Sequence, residues 1–151
     1  MTIVFGGNVN DKCVVNVTSS SIWDGCMYPK YAVDLHKPNV FATQSDEKSW
    51  LKYDFITNKI RPTCYSIRLR GECLHNNPTS WVIEGSNTDD DNDWKLLDSR
   101  NEVKSLLGKN CEDTFDITTH LEPFESFRFL RIRSQGILVF SALEYFGHFF
   151  K

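Results

Sequence analysis

Short runs in which apolar and polar residues alternate are the feature of this sequence that most constrains its fold. The clearest run is CYSIRLR at 64–70, in which Tyr65, Ile67 and Leu69 occupy every second position. WLKYDF at 50–55 repeats the pattern. Successive side chains of a β-strand point to opposite faces, so such alternation predicts strands with one buried and one solvated face. We expect Tyr65, Ile67 and Leu69 to face the core.

Further strand candidates are separated by turn-rich segments. They are KCVVNVT (12–18), SWVIEGS (80–86), WKLLD (94–98), FRFLRIR (127–133), and ILVF with LEYF within 137–146. No segment carries a sustained 3.6-residue periodicity, although SRNEVKSLLG (99–108) is compatible with one or two helical turns ended by Gly108. Many short alternating strands predict an all-β sandwich or barrel.

Three tryptophans and one glycine mark the boundaries of predicted strands. Trp50, Trp81 and Trp94 stand where strands start, and we expect their large rings to cap the end of a sandwich core. Gly85 stands where a hairpin begins, and a residue without a Cβ atom relieves crowding there.

The composition fits one globular domain and argues against two classes of partner. The 151 residues are 40% hydrophobic and 13% aromatic, which is ample for the core of a single domain spanning residues 1–151. A net charge of −3 gives no general attraction to nucleic acid or to anionic lipid. No apolar run approaches the length of a membrane span. We therefore expect neither a nucleic-acid partner nor a membrane partner.

The cysteines indicate a reducing compartment. Five cysteines are widely spaced without a CxxC pair, and no signal peptide precedes them. This pattern predicts free thiols and a cytoplasmic location, with a secreted origin open if the chain is a fragment. Cys73 with His75 is the best candidate for a catalytic pair. No third group orients them in the sequence, so we predict no catalytic residue and no enzyme activity.

The acidic segment IEGSNTDDDNDW (83–94) has two interpretations. The alternate spacing of Asp89, Asp91 and Asp93 resembles a calcium loop. Counting from Asp89, the sixth position is Trp94 instead of glycine, and the twelfth is Arg100 instead of glutamate. The segment is therefore predicted to be the solvated tip of a hairpin.

Six segments in order resemble the discoidin family, the type C domains of coagulation factors V and VIII. They are YPKYAVD (28–34), SWLKYDF (49–55), YSIRLR (65–70), SWVIEGSNTDDDNDWKLLDSR (80–100), FRFLRIR (127–133) and LVFSALEYFG (138–147). The similarity covers nearly the whole chain, and its details look most like intracellular eukaryotic members. The resemblance implies a jelly-roll β-sandwich of the galactose-binding-domain-like type.

The resemblance also implies a binding surface on three loops, residues 19–30, 35–48 and 71–79. The aromatic, amide, imidazole and charged side chains there suit a glycan or a peptide. The candidate ligand-binding residues are Trp23, Asp24, Tyr28, His36, Asn39, Phe41, Arg70, His75, Asn76 and Asn77. Simpler alternatives stay open. Trp23 and Tyr28 could fold inward, the histidines could be ordinary loop residues, and Asn76–Pro78 could be only a turn.

A structural calcium is known in some sugar-binding members of the resembled family. Asp34 and Glu144 match its two carboxylate positions. Leu35, His36 and Val40 replace other residues of the family pattern, so this loop offers few of the six or more oxygens that calcium requires. We expect no bound metal and no cofactor.

These inferences predict a non-catalytic binding module, monomeric as an isolated domain. The first predicted partner is a protein bound through the loops at one end of the sandwich. The alternative is a glycan, as for a lectin, and the third choice is phospholipid.

Overall fold

The computed structural model describes residues 8–25, 27–34, 39–45, 47–69 and 77–151. Within these ranges it has ten strands and one short 3₁₀ helix, Pro29–Val33. The strands are β1 (Asn16–Ser19), β2 (Phe41–Ala42), β3 (Ser49–Asp54), β4 (Lys59–Arg68), β5 (Trp81–Ser86), β6 (Lys95–Arg100), β7 (Glu112–Asp116), β8 (Phe129–Ser134), β9 (Val139–Phe140) and β10 (Ala142–Phe150). The all-β prediction is confirmed.

Two antiparallel sheets face each other. The larger has the strand order β1-β3-β8-β5-β6, and the smaller has the order β10-β4-β7. The short strands β2 and β9 form a third pair. Contacts cross between the large sheet and the small one: the Tyr53 hydroxyl of β3 donates to the Leu143 carbonyl of β10, and the Tyr53 ring meets Tyr145 edge-on. The architecture is a β-sandwich.

The predicted alternation places side chains as expected in the core strands. Tyr65 and Ile67 are fully buried and Leu69 nearly so. On β3, Leu51 and Tyr53 are buried while Lys52 is half-exposed. The hydrophobic effect explains this arrangement, because each strand removes one apolar face from water by packing it against the opposite sheet.

The three tryptophans do not all cap the core as predicted. Trp81 is buried, but Trp50 and Trp94 lie half-exposed. Trp50 pairs in register with Arg133 on the outer face of the large sheet, and the Lys52 ammonium lies 5.4 Å from its ring centroid. The Arg131 guanidinium lies 3.9 Å from the Trp94 ring centroid. Cation–π contacts of this kind retain these rings at the surface.

Strand boundaries differ from the prediction where the local pattern was ambiguous. The first strand is Asn16–Ser19, and residues 9–13 form turns with a positive φ of 56° at Cys13. Residues 101–108 contain turns and bends instead of the predicted helical segment. Strand β7 was not predicted, because it buries only Phe115 among four polar residues. Its pairing with β4 provides the stability that its own sequence does not indicate.

The hairpin between β5 and β6 confirms two predictions. A Cβ atom added to Gly85 would lie 2.6 Å from the Phe127 ring, so glycine is required for this close approach. The acidic segment forms the tip, where the Asp93 carboxylate accepts hydrogen bonds from Ser86 and Thr88. The Lys52 ammonium lies 2.6 Å from the Asp89 carboxylate. The acidic side chains thus satisfy local donors, as a turn requires.

The described cysteines Cys13, Cys64 and Cys111 are free thiols. Cys26 and the candidate pair Cys73 and His75 lie outside the described residues. In the described ranges we find no helix with the length and apolar character needed to cross a membrane.

Candidate functional site

One end of the sandwich gathers most of the loops that could meet a ligand. Strands β1, β4, β6 and β8 end there, and β3, β5, β7 and β10 begin there. The antiparallel registers fix this within each sheet, and the ring contacts Tyr53–Tyr145 and Phe55–Phe149 align the two sheets. We call this the loop end; its described segments are residues 20–25, 43–45, 47–48, 77–80, 101–111 and 135–138. Loops carried on rigid sheets are where binding residues are usually found.

Two adjoining cavities form a polar groove along the rim of the loop end. The first, of about 620 Å³, is lined by residues that include Lys48, Ser80, Ser99, Asn101, Arg133 and Gln135. The second, of about 540 Å³, is lined by Ser45, Glu47, Lys48, Gln135 and Gly136. The two share Glu47, Lys48 and Gln135, so they are continuous. Both volumes lie within the range of small-ligand sites.

Hydrogen bonds between loops hold the groove in shape. The Ser134 hydroxyl donates to the Ser80 carbonyl over 2.8 Å, which ties the end of β8 to the start of β5. The Ser80 hydroxyl accepts from the Glu102 amide over 3.1 Å. On the other side, the Thr43 hydroxyl accepts from the Leu138 amide over 2.9 Å. The groove walls are therefore linked across four separate loops.

Arg133 is held at the groove by a buried carboxylate on the adjacent strand. Its Nη2 and Nε donate to Glu84 over 2.8 and 3.2 Å, while Arg131 Nε donates to the same carboxylate over 2.6 Å. Burial alone would raise the pKa of Glu84, but these hydrogen bonds from Arg133 and Arg131 outweigh it and lower that pKa. The Glu84 carboxylate therefore stays ionised and fixes the Arg133 guanidinium.

Several groove side chains have hydrogen-bonding capacity that the protein does not use. The side chains of Glu47, Lys48, Asn101 and Gln135 are exposed. None of them makes a hydrogen bond within the described ranges. Carboxylate, ammonium and amide groups together supply both donors and acceptors. The groove can therefore hydrogen-bond a ligand rich in hydroxyl groups.

Trp23 lies at the loop end with its side chain 52% exposed. Its amide donates to the Ala42 carbonyl over 2.9 Å, and the neighbouring Ser21 hydroxyl accepts from the Gln44 amide over 3.0 Å. These bonds join the Trp23 loop to the segment that continues into the groove at Ser45. Of the two alternatives for Trp23, the structure favours the exposed one.

Tyr28 is also exposed, at 42%, but it does not share the setting of Trp23. It lines a separate cavity with Asn10, Asn16 and Lys30, beside the start of β1. The predicted grouping of Trp23 and Tyr28 on one surface is therefore wrong, because Tyr28 lies beside Asn16, which pairs with Asp54 at the far end of β3.

Phe41 was predicted to contact ligand, and this is wrong. Its side chain is fully buried, and its ring packs 5.4 Å from the ring centroid of Phe140 on the paired strand β9. Asn77 is at the loop end, but its amide Nδ2 donates to the Leu106 carbonyl over 2.7 Å and so fastens one loop to another. Asp24 is exposed and Asn39 is half-buried.

The remaining predicted site residues, His36, Arg70, His75 and Asn76, lie outside the described residues. The groove is instead formed largely by residues that the sequence did not single out, above all Arg133, Asn101 and Gln135. A signal for them existed. In an antiparallel sandwich, the loops after β6 and β8 lie at the same end as the loop after β4, and both carry unpaired polar side chains.

The two carboxylates considered for calcium occupy different elements. Asp34 is buried directly after the 3₁₀ helix, and Glu144 is half-buried on β10 opposite Ser66. In the part of the chain that the structure describes, no group of three or more His, Cys, Asp or Glu side chains is placed to hold a metal ion. That the protein binds no metal stays a prediction.

Comparisons of sequence give no match: no protein-family model and no curated protein matches the chain. Structures do. Module CpGH89CBM32-5 of Clostridium perfringens, in complex with GalNAc-beta-1,3-galactose, is similar over 90% of this chain and 97% of its own, with 13% identity and a TM-score of 0.69.

Two further solved structures are similar over most of their length. Chitosan-binding module 1 from a chitosanase/glucanase of Paenibacillus sp. IK-5 has a TM-score of 0.64 and 14% identity over 89% of this chain and 96% of its own. A fucose binding module of Streptococcus pneumoniae has a TM-score of 0.62 and 17% identity over 87% and 90%. At such identities the likeness establishes the fold alone, and that fold is a discoidin-like β-sandwich.

Proposed function

We propose that this protein is a non-catalytic carbohydrate-binding module and that the polar groove at its loop end holds the glycan. The observation that supports this most is the set of unpaired side chains around the groove. The side chains of Lys48, Asn101 and Gln135 make no hydrogen bond within the described ranges, and the Arg133 guanidinium is fixed beside them. A glycan carries several hydroxyl groups, and its site therefore needs several hydrogen-bond donors and acceptors close together.

The geometry of Arg133 suits a hydroxyl-rich ligand. Glu84 engages its Nε and Nη2, and Nη1 makes no hydrogen bond within the described ranges. A guanidinium held in this way loses little conformational entropy when it binds a ligand. Trp23, exposed on the neighbouring loop, adds an apolar ring against which a sugar face can pack.

The choice of a glycan over a protein partner rests on the comparisons. The similar modules are named for chitosan and fucose binding, and one was solved with a disaccharide. Protein binding was the first prediction from the sequence, and the neighbours support its alternative better. Phospholipid binding and a cytoplasmic location stay predictions.

A glycan array followed by calorimetry on the best hit tests this proposal. The double variant Asn101→Ala/Gln135→Ala removes two exposed amides from the groove. If each amide contributes one hydrogen bond of about 1 kcal/mol, the Kd rises about 30-fold. Asn92→Ala, at the hairpin tip on the opposite end, removes another exposed amide and leaves the Kd unchanged.

Two results would overturn the proposal. The first is a parent protein that binds no glycan on a broad array while it is folded. The second is saturable binding that the double variant retains in full, which would move the site away from the groove.

A further inference from the structure

The separate cavity that Tyr28 lines, of about 300 Å³, lies beside β1 and the 3₁₀ helix. Its lining residues are Asn10, Asn16, Val17, Tyr28, Pro29 and Lys30, none of which lines the groove. Asn16 pairs with Asp54 at the far end of β3, whereas the groove is lined by Lys48, directly before the first residue of β3. At about 3.3 Å per residue, the two sites are roughly 20 Å apart along the strand.

The cavity presents an aromatic ring whose orientation is already set. The Tyr28 ring packs edge-on to Tyr31, with centroids 5.9 Å apart and an interplanar angle of 68°. Directly after Tyr28 the chain enters the 3₁₀ helix, and the Tyr31 amide donates to the Tyr28 carbonyl over 3.1 Å. An exposed ring held in this way offers apolar area at little entropic cost.

Two amides beside the ring have unused donors. Asn10 Oδ1 accepts from the Val17 amide over 2.9 Å, which fixes the Asn10 side chain while its Nδ2 makes no hydrogen bond in the described ranges. The Asn16 side chain is exposed on the edge strand and likewise makes none there. A ring flanked by amide donors is suited to a ligand with one apolar face and several hydroxyl or carbonyl oxygens.

The local charges favour a neutral ligand. Lys30 is the cation of this cavity, and its Nζ lies 3.9 Å from the Asp11 carboxylate and 6.0 Å from the Tyr31 ring centroid. The Asp11 charge offsets that of Lys30, so an anion gains little there. The volume lies at the lower limit for small-ligand pockets, which fits one sugar ring better than an oligosaccharide.

We propose that this cavity is a second saccharide-binding site, which holds a single neutral sugar residue against Tyr28 with hydrogen bonds from Asn16 and Asn10. It extends the proposed function but shares no residue with the groove. A chain with two such sites engages a branched or clustered glycan more tightly than either site alone.

NMR titration of the ¹⁵N-labelled protein with the methyl glycosides of galactose, fucose and N-acetylgalactosamine tests the proposal. We expect at least one sugar to shift the side-chain amide signals of Asn10 and Asn16 and the backbone signal of Val17. Tyr28→Ala abolishes these shifts and leaves those of Asn101 and Gln135 unchanged, whereas Tyr28→Phe retains them. Asn16→Ala, at an exposed position, weakens them without disturbing the tyrosine pair.

The outcomes separate this site from the groove. Shifts confined to groove residues overturn the second site and leave the proposed function standing. Shifts near Asn16 that vanish in the groove variant Asn101→Ala/Gln135→Ala also overturn it, since they would report one site and not two. Shifts confined to Asn10, Asn16 and Val17 support it and contradict the groove. No shift at Asn10, Asn16 or Val17 with any of the three sugars overturns the second site, whereas the groove is tested separately by the glycan array.

Discussion

Tyr65 and Asp98 join the two sheets through a buried hydrogen bond, in which the Tyr65 hydroxyl on β4 donates to Asp98 Oδ2 on β6 over 2.6 Å. Trp81 Nε1 in turn donates to the Tyr65 oxygen over 2.8 Å. Arg100 and Thr118 each donate to the Asp98 carboxylate over 2.8 Å. Burial would raise the pKa of Asp98, but these donors outweigh it and lower that pKa. The sandwich thus contains a polar bridge beneath its loop end.

Replacing Tyr65 by Phe removes the centre of this bridge. Trp81 Nε1 then loses its acceptor and Asp98 loses one donor, and both groups are buried. A buried polar group without its partner costs about 1–3 kcal/mol. We therefore expect Tyr65→Phe to lower the free energy of unfolding by about 2 kcal/mol or more, as measured by urea denaturation.

The matched control is Tyr145→Phe in the same aromatic cluster. Tyr145 is as buried as Tyr65, but its hydroxyl has no hydrogen-bond partner in the described part of the chain. Removing that hydroxyl is expected to leave the stability unchanged or to raise it. Equal losses in the two variants would mean that the hydrogen bonds of the Tyr65 hydroxyl add nothing beyond the presence of a buried hydroxyl group.

Gly85→Ala tests the close approach of β5 to Phe127. The added Cβ would lie 2.6 Å from the Phe127 ring, which is itself buried and has little room to move. Overpacking of this kind costs about 1–3 kcal/mol. We expect a lower melting temperature for Gly85→Ala and none of that loss for Gly25→Ala, whose Cβ would meet nothing within 4 Å. A Gly85→Ala protein as stable as the parent would contradict this account.

The fold was predictable because alternation is a local property. Each core strand shows its buried face in its own sequence, as Tyr65 and Ile67 do, and burial of that face requires a second sheet. Strand β7 escaped prediction because Phe115 is its single buried residue and β4 provides the rest of its stability. The orientation of Trp50 escaped because a cation on the same face stabilises an exposed ring.

The candidate site was less predictable because it is assembled from loops far apart in the sequence. Sequence alone indicated which loops carry aromatic and amide side chains, and Trp23 is exposed among them. It did not reveal that Phe41 pairs inward with Phe140 on a strand of two residues. The role of Arg133 depends on Glu84 in the adjacent strand, a relation that only the sheet register defines.

Glu84→Gln tests the carboxylate that holds Arg131 and Arg133. Because the pKa of Glu84 is lowered in the folded protein, its contribution to stability is present at neutral pH. It is lost as the pH falls below the ordinary glutamate pKa of about 4.3 and through the lower folded value. We expect the variant to be about 1–3 kcal/mol less stable than the parent at pH 7.

The pH dependence distinguishes this ion-pair effect from simple damage to packing. The difference in free energy of unfolding between parent and Glu84→Gln should stay level from pH 7 to about 5 and shrink as the pH is lowered from about 5 toward 3. Chemical denaturation at several pH values measures it. A difference that stays constant over that range would show that the charge of Glu84 is not what stabilises the sheet.

Trp23→Ala tests whether the exposed ring at the loop end takes part in binding. The side chain is 52% exposed and makes no ring contact within the described ranges, so its loss should change stability by less than about 0.5 kcal/mol. If the ring packs on a sugar face, its removal weakens glycan binding about tenfold, which corresponds to ~1.4 kcal/mol. Calorimetry with the best glycan from the array measures the change.

Two companion variants decide what a loss of affinity in Trp23→Ala means. Trp23→Phe keeps an aromatic face and should recover most of the affinity. Phe124→Ala removes a ring that is 85% exposed in the loop between β7 and β8, at the opposite end of the sandwich, and should leave the Kd unchanged. If Trp23→Ala binds as tightly as the parent, the glycan surface does not extend from the groove to the first loop. If Phe124→Ala weakens binding as much as Trp23→Ala does, the exposed rings contribute through nonspecific adhesion and not through a defined binding site.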